Sequence, residues 1–106
     1  MRSEKKILMD ELKSGLKMIY GARLKGVYLY GSYARGEADA ESDVDVLVVL
    51  DEYDRYAEEI ERTSQLVSSS SLKHGISISR VFVPEKRWRH GDSLFLRNAR
   101  AEAIAA

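Results

Sequence analysis

Val27-Tyr28-Leu29-Tyr30-Gly31-Ser32-Tyr33-Ala34-Arg35-Gly36 leads from an apolar, β-prone stretch into a glycine turn. Ten residues separate Ser32 from Asp43-Val44-Asp45, which opens a second apolar run, Val46 to Leu50. A strand that ends in Gly31-Ser32 offers main-chain N–H groups and a hydroxyl to a phosphate, because glycine lets the backbone approach closely and the turn points its donors outward. Carboxylates at i and i+2 of a strand project from one face, since side chains alternate across a sheet. Asp43 and Asp45 together have the hard oxygen chemistry that holds Mg²⁺ against nucleotide phosphates.

The pattern Gly31-Ser32-Tyr33-Ala34-Arg35-Gly36 followed by Ser42-Asp43-Val44-Asp45-Val46 resembles the nucleotidyltransferase superfamily typified by DNA polymerase β, and within it the minimal nucleotidyltransferase group. The likeness runs from the strand at Val27 to about Ala103, and Gly-Ser-x10-Asp-x-Asp with Ala-Arg-Gly inside it is far more specific than a lone glycine motif. It implies an α/β domain of polymerase-β type, a short mixed sheet flanked by helices. It also implies a Mg²⁺-dependent transferase with ATP as substrate, acting as the antitoxin of a two-gene pair. The implied activity is transfer of AMP to a tyrosine of a HEPN ribonuclease toxin. Asp43 and Asp45 are then the catalytic metal ligands, and Gly31, Ser32 and Arg35 bind the nucleotide. Arg35 has a second reading, as a loop partner of Glu37 or Asp39.

The third predicted strand departs from the family pattern. Where such enzymes carry a third carboxylate facing the Asp-x-Asp pair, this chain has Ser77 and Ser79, whose hydroxyls ionise too weakly to serve as metal ligand or general base. Two alternatives therefore stand beside the enzyme: a degenerate nucleotide-binding antitoxin that acts by direct binding, and an adenylyltransferase for small hydroxylated molecules such as aminoglycosides. The last is weaker, since the minimal length leaves no enclosing substrate domain.

The 106 residues suit one core, so a single domain over 1–106 is expected. Seventeen acidic residues balance seventeen Lys and Arg, which removes bulk attraction to nucleic acid or anionic membrane. Neither a membrane-length apolar run nor a signal-peptide core is present, and cysteine is absent, in keeping with a reducing cytoplasm.

Leu8, Leu12, Leu16 and Ile19 recur at helical spacing and predict an amphipathic helix over Ser3 to Arg23. Strands are expected at Val27 to Tyr30, Val44 to Leu50 and Ile76 to Val83, the last placing Ile76, Ile78 and Phe82 opposite Ser77, Ser79, Val81 and Val83. Between the last two, a helix starting within Asp51 to Asp54 carries Tyr53, Tyr56, Ala57, Ile60 and Val67 on its apolar face, holds Ser68 to Ser71 in its later turns and stops at Gly75. Glu85 to Asp92 reads as a charged loop around Trp88, and Ser93 to Ala105 as a last helix capped by Asp92 or Ser93.

His74 falls at a helix end, where the dipole favours a cation, and neither it nor His90 has zinc-ligand spacing. Lys86 to His90 forms the basic and aromatic cluster of the chain and reads first as a solvated loop, with a protein-partner surface and, less favoured, an RNA surface as alternatives. The tyrosines read as packing residues, with base stacking an alternative for Tyr33. A homodimer and a hetero-oligomer with the toxin are both compatible with the apolar faces.

Overall fold

The computed structural model describes residues 4–36 and 43–106. The chain opens with helix α1 (Glu4–Tyr20), continues through a 3₁₀ turn (Gly21–Arg23) into strand β1 (Leu24–Tyr30) and the short helix α2 (Ser32–Arg35), and returns as strand β2 (Val44–Leu50). Helix α3 (Tyr56–His74), strand β3 (Ile78–Pro84), helices α4 (Glu85–His90) and α5 (Leu94–Glu102) and the two-residue strand β4 (Ile104–Ala105) complete it. The sheet order is β3-β2-β1-β4, with β2 antiparallel to β1 and parallel to β3, and β4 antiparallel to β1. The expected mixed sheet between helices is the observed one.

β2 sets the layers, because its side chains alternate between two covered faces and every residue from Val46 to Leu50 is buried. Val44, Val46, Val48 and Leu50 meet Leu8, Leu12, Leu16 and Tyr20 of α1 together with Phe82, while Leu47 and Val49 meet Val83, Leu96 and Ala99. Asp45 belongs to the second face by the same alternation. The periodicity of α1 is right for its first three leucines, but Ile19 is exposed and Tyr20 takes the inward position. Its hydroxyl reaches across to α3 and donates to Glu59 Oε1 at 2.8 Å, which explains a buried carboxylate on that helix.

α3 starts later than its acidic lead-in suggests, at Tyr56 with extended Arg55 before it. Asp51 is engaged elsewhere: its Oδ1 accepts from the Glu52 amide at 2.6 Å and from Arg23 Nε at 3.2 Å, so it is unavailable as a helix cap. Gly75 ends α3 in the left-handed conformation, and the serines at 68–71 are helical as expected. Only the glycine adopts that backbone without strain.

Two expectations fail past Pro84. The stretch taken as a charged loop contains α4, held by Trp88 stacked 4.9 Å from Tyr28, by the Glu85–Arg89 pair, and by Arg100, which donates to the carbonyls of Trp88 and Gly91. The last helix is capped by Ser93, whose side chain accepts from the Leu96 amide, but it stops at Glu102 rather than Ala105. Ala103 turns extended and Ile104–Ala105 pair with Leu29 and Tyr28. Alanine's helix preference of well under about 1 kcal/mol per residue yields to the unpaired edge of β1, which offers ladder bonds instead.

Candidate active site

The antiparallel register places Tyr30, the last residue of β1, opposite Asp45, and the parallel register places Ser79 on the other side of Asp45. Ser79, Asp45 and Tyr30 thus form one row across three strands, with Gly31 at the end of β1 immediately above it. Gly31 has φ +76°, a backbone conformation that strains any residue with a Cβ. A Cβ there would also collide with the Asp45 carboxylate, lying 3.1 Å from Cγ besides a closer clash with Oδ2. The glycine is therefore what lets the carboxylate sit against the turn.

Asp43 is exposed and Asp45 half-buried. Burial raises the Asp45 carboxyl above its ordinary value, the charge of Asp43 raises it further, and Arg35 opposes both. A half-buried carboxylate whose charge is disfavoured by burial and by a neighbouring carboxylate calls for a cation. Mg²⁺ fits this donor set: it takes hard oxygen ligands and is commonly held by one or two carboxylates together with substrate phosphates and water. Among the described residues no cluster of three or more metal-binding side chains is present, so none of them adds a third protein ligand to the pair. Ser79, not a carboxylate, occupies the β3 position beside Asp45.

Ser32 opens α2, and the Arg35 amide closes that turn by donating to the Gly31 carbonyl at 3.1 Å. The Arg35 side chain pairs with Glu102 of α5 at 3.0 Å. Glu37 and Asp39, its other suggested partners, lie outside the described residues. Glu102 was not legible beforehand, because sixty-seven positions separate it from Arg35. Tyr30 was passed over as ordinary packing. Its ring meets Phe95 edge-on at 5.8 Å, and burial, followed by the charge of Asp45, pushes its phenol up to about 12.

Tyr33 packs against the core on the α1 side, with Lys5 Nζ 5.7 Å above its ring, as the packing reading expects. His74 ends α3 and meets Glu11 at 2.8 Å. Lys86, Arg87, Arg89 and His90 are exposed on α4 while Trp88 turns inward.

The mixed sheet with this glycine turn and paired carboxylates defines an α/β domain of minimal-nucleotidyltransferase fold. Residues 9–89 match the family model described as Nucleotidyltransferase domain, and the chain belongs to that family. It is 39% identical over 74 residues to MJ0141 of Methanocaldococcus jannaschii, a candidate protein adenylyltransferase, spanning 70% of this chain and 74% of that one. It is also 40% identical over 75 residues to the protein adenylyltransferase MntA of Thermococcus cleftensis, spanning 61% of this chain and 74% of that one. Among solved structures, a candidate minimal nucleotidyltransferase superposes with TM-score 0.63 at 23% identity, covering 94% of this chain and 90% of its own. A toxin–antitoxin complex with AMP-PNP superposes with TM-score 0.62 at 19% identity, covering 89% of this chain and 68% of the other. The fold is thus that of the minimal nucleotidyltransferases. No helix among the described residues is long and apolar enough to cross a membrane.

Proposed function

We propose that this chain is the antitoxin of a toxin–antitoxin pair and transfers AMP from ATP to a tyrosine hydroxyl of its partner, a HEPN ribonuclease, thereby neutralising it. The observation that carries this reading is the Asp45 carboxylate seated against the left-handed Gly31 turn, with Asp43 beside it. The similarity to protein adenylyltransferases supports the reaction class, and the likeness to toxin–antitoxin structures supports the kind of partner.

In this reading Gly31 and Ser32 hold the β- and γ-phosphates through main-chain N–H groups, and Arg35 leaves Glu102 to add positive charge. Asp43 and Asp45 would hold Mg²⁺, which when bound would supply positive charge to offset that of the phosphates. The acceptor oxygen forms a bond to that phosphorus, the bond to the bridging oxygen breaks, and pyrophosphate leaves with the electron pair. The phenol proton passes to water, because Ser79 is too weak a base to take it. Orientation and charge neutralisation supply the acceleration.

Ser79 in register with Asp45 also favours a second reading, a binding antitoxin that keeps the nucleotide site without turnover. Co-expression with the protein encoded beside this chain's gene separates the two. A partner gaining mass in AMP units with wild type and not with Asp43→Asn, Asp45→Asn supports the enzyme. An unmodified partner that both forms silence supports binding alone.

A further inference from the structure

The outer edge of β3 is sealed at both ends and open in the middle. The Val44 amide donates to the Ser77 carbonyl, which fixes the phase of the ladder: Ser77, Ser79, Val81 and Val83 turn their main-chain groups toward β2, and Ile78, Arg80 and Phe82 turn theirs outward. Phe82 has both outward groups occupied, its amide donating to the Tyr56 hydroxyl at 3.3 Å and its carbonyl accepting from Tyr53 at 3.0 Å. At the other end, the Ile76 amide donates to the Ser71 carbonyl and its carbonyl accepts from the Ser71 hydroxyl. The outward N–H and C=O of Ile78 and Arg80 have no partner among the described residues. They border a groove of about 460 Å³ against α3, lined by Val67, Ser68, Ser71 and Leu72, with Leu72 83% exposed at its rim.

We propose that this gap is the docking site for the acceptor-bearing segment of the partner, bound as an extended strand added to β3. The inference rests on the transfer reading above. In-line displacement puts the attacking oxygen opposite the leaving group. The strand order assigns the two sides, since the phosphate turn ends β1, the metal carboxylates lie on β2, and the acceptor must then arrive over β3. Ser77, Ile78 and Arg80 line the groove, and Ser79, between the last two on the opposite strand face, is the register partner of Asp45, so the open edge flanks the catalytic row. An added strand lies about 4.8 Å outside β3, hence about 10 Å from β2, within reach of a long side chain. Its residues alternate, one set beside Ser79 on the catalytic face and the other dropping toward Val67 and Leu72. An extended polypeptide supplies what two outward residues of a strand need; a small hydroxylated molecule does not.

The test uses the double variant Ser68→Arg with Leu72→Arg, exposed positions remote from the carboxylates, and the single variant Ile78→Pro, which deletes one outward N–H while leaving the β2 ladder intact. The probe is the protein encoded by the adjacent gene. Both variants are expected to bind MgATP as wild type does, yet adenylylate the probe at least tenfold more slowly. In the wild-type complex the Ile78 and Arg80 amides are expected to gain protection from hydrogen exchange. Unchanged transfer rates, or no protection in a formed complex, would overturn the docking site while leaving the transfer reading intact. An unmodified probe with Ile78 and Arg80 protected would overturn transfer and keep the dock. A probe that wild type neither binds nor modifies would overturn both. Protection that arises from pairing with a second copy of this chain, seen as a dimer without probe, would also overturn the dock.

Discussion

Gly31→Ala should be among the most damaging single-methyl additions in this chain, for two separable reasons. The left-handed backbone costs an L-residue about 1–2 kcal/mol. The added Cβ meets the Asp45 side chain, 3.1 Å from Cγ and 3.3 Å from Cβ with a tighter clash at Oδ2, so the strand residue must shift. Such overpacking costs about 1–3 kcal/mol, giving a total of about 2–5 kcal/mol. Only the second part depends on Asp45. In an Asp45→Ala background the same glycine substitution should therefore cost about 1–2 kcal/mol, leaving a coupling energy of about 1–3 kcal/mol. Urea unfolding of the four proteins measures this directly, with a thermal shift of about 4–8 °C per kcal/mol as a cross-check. Equal costs of Gly31→Ala in both backgrounds would refute the claim that the turn is built around the carboxylate.

Asp45→Asn should stabilise the metal-free protein at neutral pH while abolishing Mg²⁺-dependent nucleotide binding. The sign follows from its raised carboxyl: stability from the neutral form is full below the ordinary value of 3.8 and is lost as pH rises through the higher folded value. A pH–stability curve that keeps this slope in Asp45→Asn would contradict the assignment. Tyr20→Phe removes the donor to buried Glu59 and should cost about 1–3 kcal/mol, whereas a loss below 0.5 kcal/mol by urea titration would show that the bond contributes little. Glu102→Gln weakens one partly exposed ion pair of Arg35, so ATP affinity by calorimetry should rise, by at most about fivefold, with stability nearly unchanged. Weaker ATP binding would place Arg35 outside the phosphate site.

The candidate site was legible where its parts are local in sequence. Gly31 and Asp45 declare themselves by residue type, and the structure brings the glycine turn against the Asp45 carboxylate. The long-range partners were not: Glu102 on Arg35, Glu59 under Tyr20 and the tyrosine caps on Phe82 depend on how elements pack, which no local spacing encodes. The fold shows the same division. β2 matches its expected bounds because continuous burial leaves a strand little latitude, and Gly75 marks a helix end through its own backbone freedom. α4 was missed because its charged residues mask one inward tryptophan. β4 was missed because an alanine-rich tail favours helix until the edge of β1 is present to pair with it.

The most direct measurement is label transfer in the purified complex with the adjacent-gene protein, using ATP labelled on the α-phosphate in one reaction and on the γ-phosphate in another. Nucleotidyl transfer through Asp43 and Asp45 requires α-label on a tyrosine of the partner, matched by released pyrophosphate, no γ-label, and loss of the signal in Asp43→Asn, Asp45→Asn. Partner protein free of α-label at saturating MgATP, or labelled equally by the double variant, would contradict it.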